Sequence, residues 1–359
     1  MNEAKHKNMV GLLSSIFAIV VGLLFGFIVL LASNPTQAVP GFFTILTGSF
    51  THGLKGIGQV FYYATPIILT GLSVGFAFKT GLFNIGTPGQ FIVGAFAAIV
   101  VGIRGDFLGS AQWVVAVLAS IAAGALWGLV PGVLNAYFNV NVVIACIMMN
   151  YIGMYLINFI VKGSKTLFDS LRNQSLSVDK AAEIPKMGLN LLFPESSING
   201  GFFIAILAVV LIHFILNKTA FGFELKAAGF NRDASKYAGM NEKRNIILSM
   251  AIAGALAGLA GGLLYLAGSG KHIEIVDVLA SEGFTGISVA LLGLSSPLGI
   301  LLAGLFIAYI TAGGFYLQLF EFSTEIIDII VAVIIYFSAF ALIIKTFIER
   351  FDKKRNGGK

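Results

Sequence analysis

Ten predominantly apolar stretches run through this chain. Most of them fall within the roughly 17 to about 25 residues that a helix needs to cross a bilayer. They lie at 9–32, 57–78, 87–103, 112–133, 140–160, 201–217, 245–268, 279–293, 297–317 and 324–346. A backbone in lipid must satisfy its own polar groups, so such a pattern leaves an all-α polytopic membrane protein as the expected fold. Charged residues make up only 11% of the 359, against about 25% in soluble domains. The mean hydropathy is +0.91. Segment 9–32 exceeds the roughly 7–15 residues of a cleavable leader and is read as a retained first helix.

The net charge of +6 does not argue for nucleic acid, because the basic residues sit in the gaps between apolar segments and form no stripe. Their distribution instead orients the chain. With ten crossings and a cytoplasmic N-terminus, fifteen Lys and Arg fall inside and eight outside, as the positive-inside rule requires. Both termini are then cytoplasmic, the basic tail 347–359 included. Segment 279–293 is the shortest, and Glu282, Gly283, Gly286 and Gly293 within it also admit a re-entrant or broken helix. Two links are long: 161–200 outside, and 217–245 inside.

Catalytic machinery is not evident. "FKTG" at Lys79 has Phe78 where a phosphate loop needs glycine, and "GSGKH" ends in His272 instead of Ser or Thr. "SVDK" and "KTG" occur in the wrong order for a β-lactamase pair. The four histidines lie on separate segments without ligand spacing, so no metal site is expected. The one cysteine, Cys146, falls within an apolar run and reads as a packing residue. Glycines recur at four-residue spacing, as in Gly124 with Gly128 and Gly254 with Gly258 and Gly262, which suits close helix approach in lipid.

Three features carry polar chemistry. The first is "FKTGLFNIGTPGQF", residues 78–91, in which Thr87 reads as an N-cap, Pro88 as the first helical position and Gln90 as the partner in a capping box. Asn84, Thr87 and Gln90 at this break could cap a tight turn, or could meet a polar cargo where a span is interrupted. The second is the set of polar groups inside spans: Asn150, Asn158 and Asn135 as helix-to-helix glue or as path lining, and Glu282, which helix-dipole arguments do not explain away. The third is "FELKAAGFNRDASKYAGM" in the inside link. It reads as a helix stopped by Gly229, then a second helix capped by Asn231 and ended at Gly239. Two such helices suit docking by another protein, or resting on lipid headgroups.

"ELKAAGFNRDASKYAGMNEKRNIILSMAIAGALAGLAGG" resembles the cytoplasmic stretch of permease subunits of ATP-binding-cassette importers, in the superfamily for branched-chain amino acids and simple sugars. "GLFNIGTPGQFIVGAFAA" and "NVVIACIMMNYI" are similar to its nucleoside-importing branch, with Pro88 where many members have Glu. The resemblance spans roughly 57–340. It implies one transmembrane permease domain over 1–359 in the plasma membrane, with no catalytic residues and no cofactor of its own. ATP and Mg would bind a partner ATPase, a second homologous permease would complete the path, and an extracytoplasmic binding lipoprotein would deliver a nucleoside. Glu224, Lys226, Ala228, Gly229, Asn231, Arg232 and Gly239 would form the coupling region, with Gly229 at its turn. Asn84, Thr87, Gln90, Asn150 and Glu282 would be the candidates for the path. A simple-sugar permease, an ion-coupled secondary carrier and a structural membrane anchor are the rival expectations.

Overall fold

The computed structural model describes residues 2–268 and 270–339. The first half comprises α1 (Asn2–Ser33), α2 (Ala38–Thr51), α3 (Gly53–Lys79), α4 (Thr87–Arg104), α5 (Gln112–Phe138) and α6 (Val142–Gly163). A long link follows, with the short antiparallel pair β1 (Phe168–Asp169) and β2 (Gln174–Ser175) and the one-turn α7 (Leu189–Leu192). The second half holds α8 (Gly201–Lys218), α9 (Ala220–Phe230), α10 (Arg232–Tyr237), α11 (Glu242–Tyr265), α12 (Ser281–Leu292), α13 (Pro297–Phe315) and α14 (Thr324–Ala339).

Seven helical segments among the described residues are long and apolar enough to cross a bilayer, and they coincide with seven of the expected spans. The first and tenth expected spans correspond to α1 and α14; residues 340–346 and the tail 347–359 lie outside the described residues. Two elements differ from expectation. The apolar helix α2 lies outside the expected spans, and its length of 14 residues is below what a crossing needs. The expected eighth span is not a full helix, for α12 has only 12 residues. At about 1.5 Å per residue it reaches roughly 18 Å. The hydrocarbon core it would have to cross is about 30 Å thick.

Glycine contacts set the helix packing. On α5 and α11, a Cβ at Gly124 would fall 2.3 Å from the Gly254 carbonyl oxygen, and one at Gly258 would fall 2.3 Å from that of Ser120. These helices therefore touch backbone to backbone, and no larger residue fits without separating them. Gly94 brings α4 onto the same strip of α11 at Gly258. In the other half, Gly286 of α12 abuts Thr70 of α3, while Gly71 meets Val289 and Ile300. So α4 rests on α11 and α12 rests on α3. By contrast, α8 leaves Leu207, Val210, Leu211 and Phe214 exposed, the face a lipid-contacting helix presents.

The route of the chain from α11 to α12 explains how so short a helix is accommodated. Leu266 accepts a hydrogen bond from the Ile184 amide, and Lys271 one from Val178, so this stretch begins at the bundle end covered by the long link. Leu294 accepts one from Lys79 Nζ at 3.4 Å, at the opposite end. Residues 271–294 thus pass from that end to the other as non-helical chain followed by a short helix. The non-helical part finds its backbone partners in the link, where Ser175 donates to Ile273 and Ile275 donates to Asn173. Such irregular backbone is tolerated at membrane depth because protein covers it.

Candidate functional site

A cavity of about 1050 Å³ lies in the half of the bundle next to the long link. Tyr62, Tyr63 and Pro66 of α3 line it, with Asn158 of α6, Tyr265 of α11 and the first turns of α12. Thr311 of α13 and Asp328 of α14 complete the wall. Its size is just past the usual range for small-molecule sites, roughly 300 to about 1,000 Å³. Its chemistry is mixed. Aromatic faces come from Tyr62, Tyr63, Tyr265 and Phe284, and hydrogen-bonding groups from Ser281, Glu282, Thr285 and Ser288.

Asn158 holds the extended segment that forms one side. Its Nδ2 donates to the Val276 carbonyl at 3.1 Å and to Asp277 Oδ1 at 2.9 Å. That segment leads directly into Ser281 and Glu282. The aromatic residues of the cavity carried no signal in the sequence, because a tyrosine on an apolar helix reads the same whether it faces lipid, a neighbour or a void. Asn158 was legible as a polar group within a span, though its partner on 276–277 was not.

Of the candidate path residues, Glu282 lines the cavity, whereas Asn84, Thr87, Gln90 and Asn150 are buried beside it in a closed network. Asn84 and Gln90 form a reciprocal amide pair: Asn84 Nδ2 donates to Gln90 Oε1 at 2.9 Å, and Gln90 Nε2 donates to Asn84 Oδ1 at 3.2 Å. Asn84 Oδ1 also accepts the Gly86 amide at 3.0 Å. Asn150 reaches across from α6, accepting the Gly89 amide at 2.9 Å and donating to the Ile85 carbonyl at 3.0 Å.

This network replaces the capping box expected at Thr87. The residue before α4 is Gly86, Thr87 Oγ1 donates to the Asn84 carbonyl, and Gln90 is engaged with the Asn84 side chain. The reason is depth. Asn84 Nδ2 reaches Ser73 Oγ at 3.4 Å. Ser73 lies six positions, or about 9 Å, back from the end of α3. The 80–86 turn therefore re-enters the bundle, where side-chain amides and not water must satisfy the freed backbone groups. The start of α4 then meets the start of α12: a Cβ at Gly283 would sit 2.5 Å from Pro88 Cα. The starts of a spanning helix that follows a re-entrant turn and of the short α12 thus meet beneath the cavity.

At the far end, α9 and α10 form a compact pair. Thr219 caps α9 through the Gly222 amide at 3.0 Å, and Asn231 caps α10 through Ala234 at 3.0 Å. Arg232 pairs with Glu242 of α11 at 3.8 Å. Leu225 and Ala228 are buried, while Phe223, Phe230 and Tyr237 are exposed, the last two by more than nine-tenths. The expected stop at Gly229 is corrected: α9 continues through it to Phe230, and the turn lies at Asn231 in extended geometry. Gly229 is needed for contact instead, since a Cβ there would fall 2.6 Å from the Lys79 carbonyl oxygen and 3.0 Å from the Gly81 amide. Gly239, with a φ of +83°, follows α10 as expected, in a conformation that glycine adopts without strain. Glu224 and Lys226 lie half-buried on α9.

A family model described as branched-chain amino acid transport system / permease component matches residues 56–339. The guanosine ABC transporter permease protein NupP of Bacillus subtilis (strain 168) is 38% identical, the match covering 97% of this chain and 99% of that protein. The nucleoside ABC transporter permease protein NupB of Lactococcus lactis subsp. cremoris (strain MG1363) is 35% identical over 98% and 95%, respectively. The glucose ABC transporter permease protein TsgB13 of Haloferax volcanii is 31% identical over 95% and 91%. No solved structure matches the chain.

Proposed function

Since the chain belongs to the family of permease components of branched-chain amino acid transport systems, we propose that it forms the cargo path of an ATP-driven importer for nucleosides. It is a multi-pass plasma-membrane protein and a transporter subunit, not an enzyme. The observation that carries the cargo reading is the cavity itself. Aromatic faces beside neutral, acidic and basic hydrogen-bonding groups, Lys271 and His272 among them, suit a base joined to a sugar, and the relatives NupP and NupB bear nucleoside names.

In this reading the long link faces outward and receives cargo from an extracytoplasmic binding lipoprotein. A partner ATPase, holding ATP and Mg, docks under α9 and α10 through the exposed Phe230 and Tyr237 rings. A second permease chain completes the path. Movement of α9 reaches the re-entrant 80–86 turn through the Gly229 contact, and that turn positions the joint between α4 and α12 beneath the cavity. The buried Asn84, Gln90 and Asn150 act as the stiffening of this joint and Glu282 as a group on the path. Alternating access then amounts to parting Pro88 from Gly283 while the outer half closes.

Uptake of radiolabelled guanosine by a deletion strain with and without the restored gene tests the proposal, with unlabelled guanosine, cytidine, ribose and glucose as competitors. Gene-dependent uptake inhibited by nucleosides is expected. Inhibition by ribose or glucose alone would transfer the cargo reading to sugars, a second possibility that the similarity to TsgB13 favours. Uptake abolished by an ionophore but indifferent to ATP depletion would overturn the ATP-driven mechanism.

A further inference from the structure

Glu282 is the half-buried carboxylate of the cavity; Glu274 and Asp328, which also line it, are exposed. Among the described residues, its hydrogen bonding consists of one long contact, from Ser281 Oγ at 3.4 Å, and no Lys or Arg comes within ion-pair distance. One neighbouring donor is committed elsewhere: Thr285 Oγ1 donates to the Ser281 carbonyl at 3.1 Å. A carboxylate placed in a cavity of the bundle is expensive to desolvate; its place in the first turn of α12, at the positive end of the helix dipole, offsets part of that cost, and no side-chain cation offsets the rest. Its position is nevertheless well defined. Asn158 fixes residues 276–277 just upstream, Gly283 is seated against Pro88, and Gly286 against Thr70.

We propose that Glu282 is the cargo-reading residue of the cavity, its two carboxylate oxygens accepting a pair of hydrogen bonds from the 2′,3′-cis-diol of a ribonucleoside. This rests on the nucleoside reading above and adds to it a specific requirement for ribose. An ionised carboxylate only accepts, and its two oxygens match two adjacent hydroxyl donors in the way they match other bidentate partners. The aromatic rings of the same cavity offer apolar faces to the base without selecting which base is present. The site therefore distinguishes ribose from deoxyribose while tolerating different bases.

The test compares initial uptake rates of guanosine, 2′-deoxyguanosine and inosine in the deletion strain carrying wild type, Glu282→Gln or Glu282→Asp, normalised to the amount of chain in the membrane. A site built around a substrate hydroxyl discriminates strongly against the analogue lacking it, so wild type should prefer guanosine over 2′-deoxyguanosine by about tenfold or more. Glu282→Gln, which replaces one acceptor by a donor and removes the charge, should bring the ratio below about threefold, with guanosine uptake falling much more than 2′-deoxyguanosine uptake, which loses only the charge assistance of its 3′-hydroxyl bond. Glu282→Asp should retain part of the preference, and inosine should follow guanosine in every strain. Equal losses for both nucleosides in Glu282→Gln would mean a merely structural role and overturn the proposal, as would an unchanged ratio. If Glu282→Gln instead removes guanosine uptake but not inosine uptake, the carboxylate reads the guanine edge and the diol assignment is wrong. Wild type that takes up no nucleoside would reject the cargo reading itself, and the proposal with it.

Discussion

At the residue scale, polar side chains inside the bundle divide by whether their hydrogen bonds are complete. Asn84 and Gln90 satisfy each other and the backbone of the 80–86 turn, and both are almost fully buried. Removing Asn84 strands the Gln90 amide, and removing Gln90 leaves Asn84 Nδ2 with only a long contact to Ser73, at a cost of about 1–3 kcal/mol for a stranded buried group. Asn84→Leu and Gln90→Leu should therefore each lower the unfolding temperature of the detergent-purified subunit by several degrees. The double variant should fall short of the sum, because the two amides then no longer leave each other without a partner. Additive losses would show that the two amides do not act as a pair. Glu282, facing the cavity with its acceptors largely free, belongs to the opposite class.

At the scale of elements, three interrupted or short pieces matter more than the long spans: α9, the 80–86 turn and α12. Gly229 and Gly81 bring the first two within backbone contact, and Pro88, in the first turn of α4 that follows the 80–86 turn, meets Gly283 of the third. Gly229→Val would place its side chain against the Lys79 carbonyl, so α9 must shift away. The expected outcome is uptake reduced by about tenfold or more, while the chain still reaches the membrane; Gly229→Ala should be milder. Normal uptake by Gly229→Val would remove this contact from the coupling route. Legibility at this scale was uneven. The helix cap at Asn231 follows from side-chain chemistry next door in sequence. The purpose of Gly229 does not, because the carbonyl that excludes a side chain there belongs to Lys79, in the other half of the chain.

At the scale of the whole molecule, the cavity lies on the side of the long link and is underlain by the α4–α12 joint. The single cysteine, Cys146, is fully buried and provides a silent background for labelling. A membrane-impermeant thiol reagent added to intact cells should thus modify Thr285→Cys on α12 but not wild type, and nucleoside in excess should slow the modification. Thr285→Cys labelled only after the membrane is permeabilised would place the cavity on the cytoplasmic side and reverse the orientation inferred from the Lys and Arg distribution.

The sequence alone determined the class of this protein, since apolar runs of spanning length leave the backbone no choice but helices, and it located seven spans closely. It also marked 78–91, 217–245 and 279–293 as the places where regular helix gives way, because glycine, proline and amide residues inside apolar sequence act locally. Tertiary structure decided the rest. Whether Asn84 meets a cargo or Gln90, whether Gly229 makes a turn or a contact, and whether 279–293 crosses by itself or forms only the short α12 at the end of a non-helical stretch all depend on partners remote in sequence. Local propensity carries no record of those partners, and only packing brings them within the few ångströms at which hydrogen bonds and steric exclusion operate.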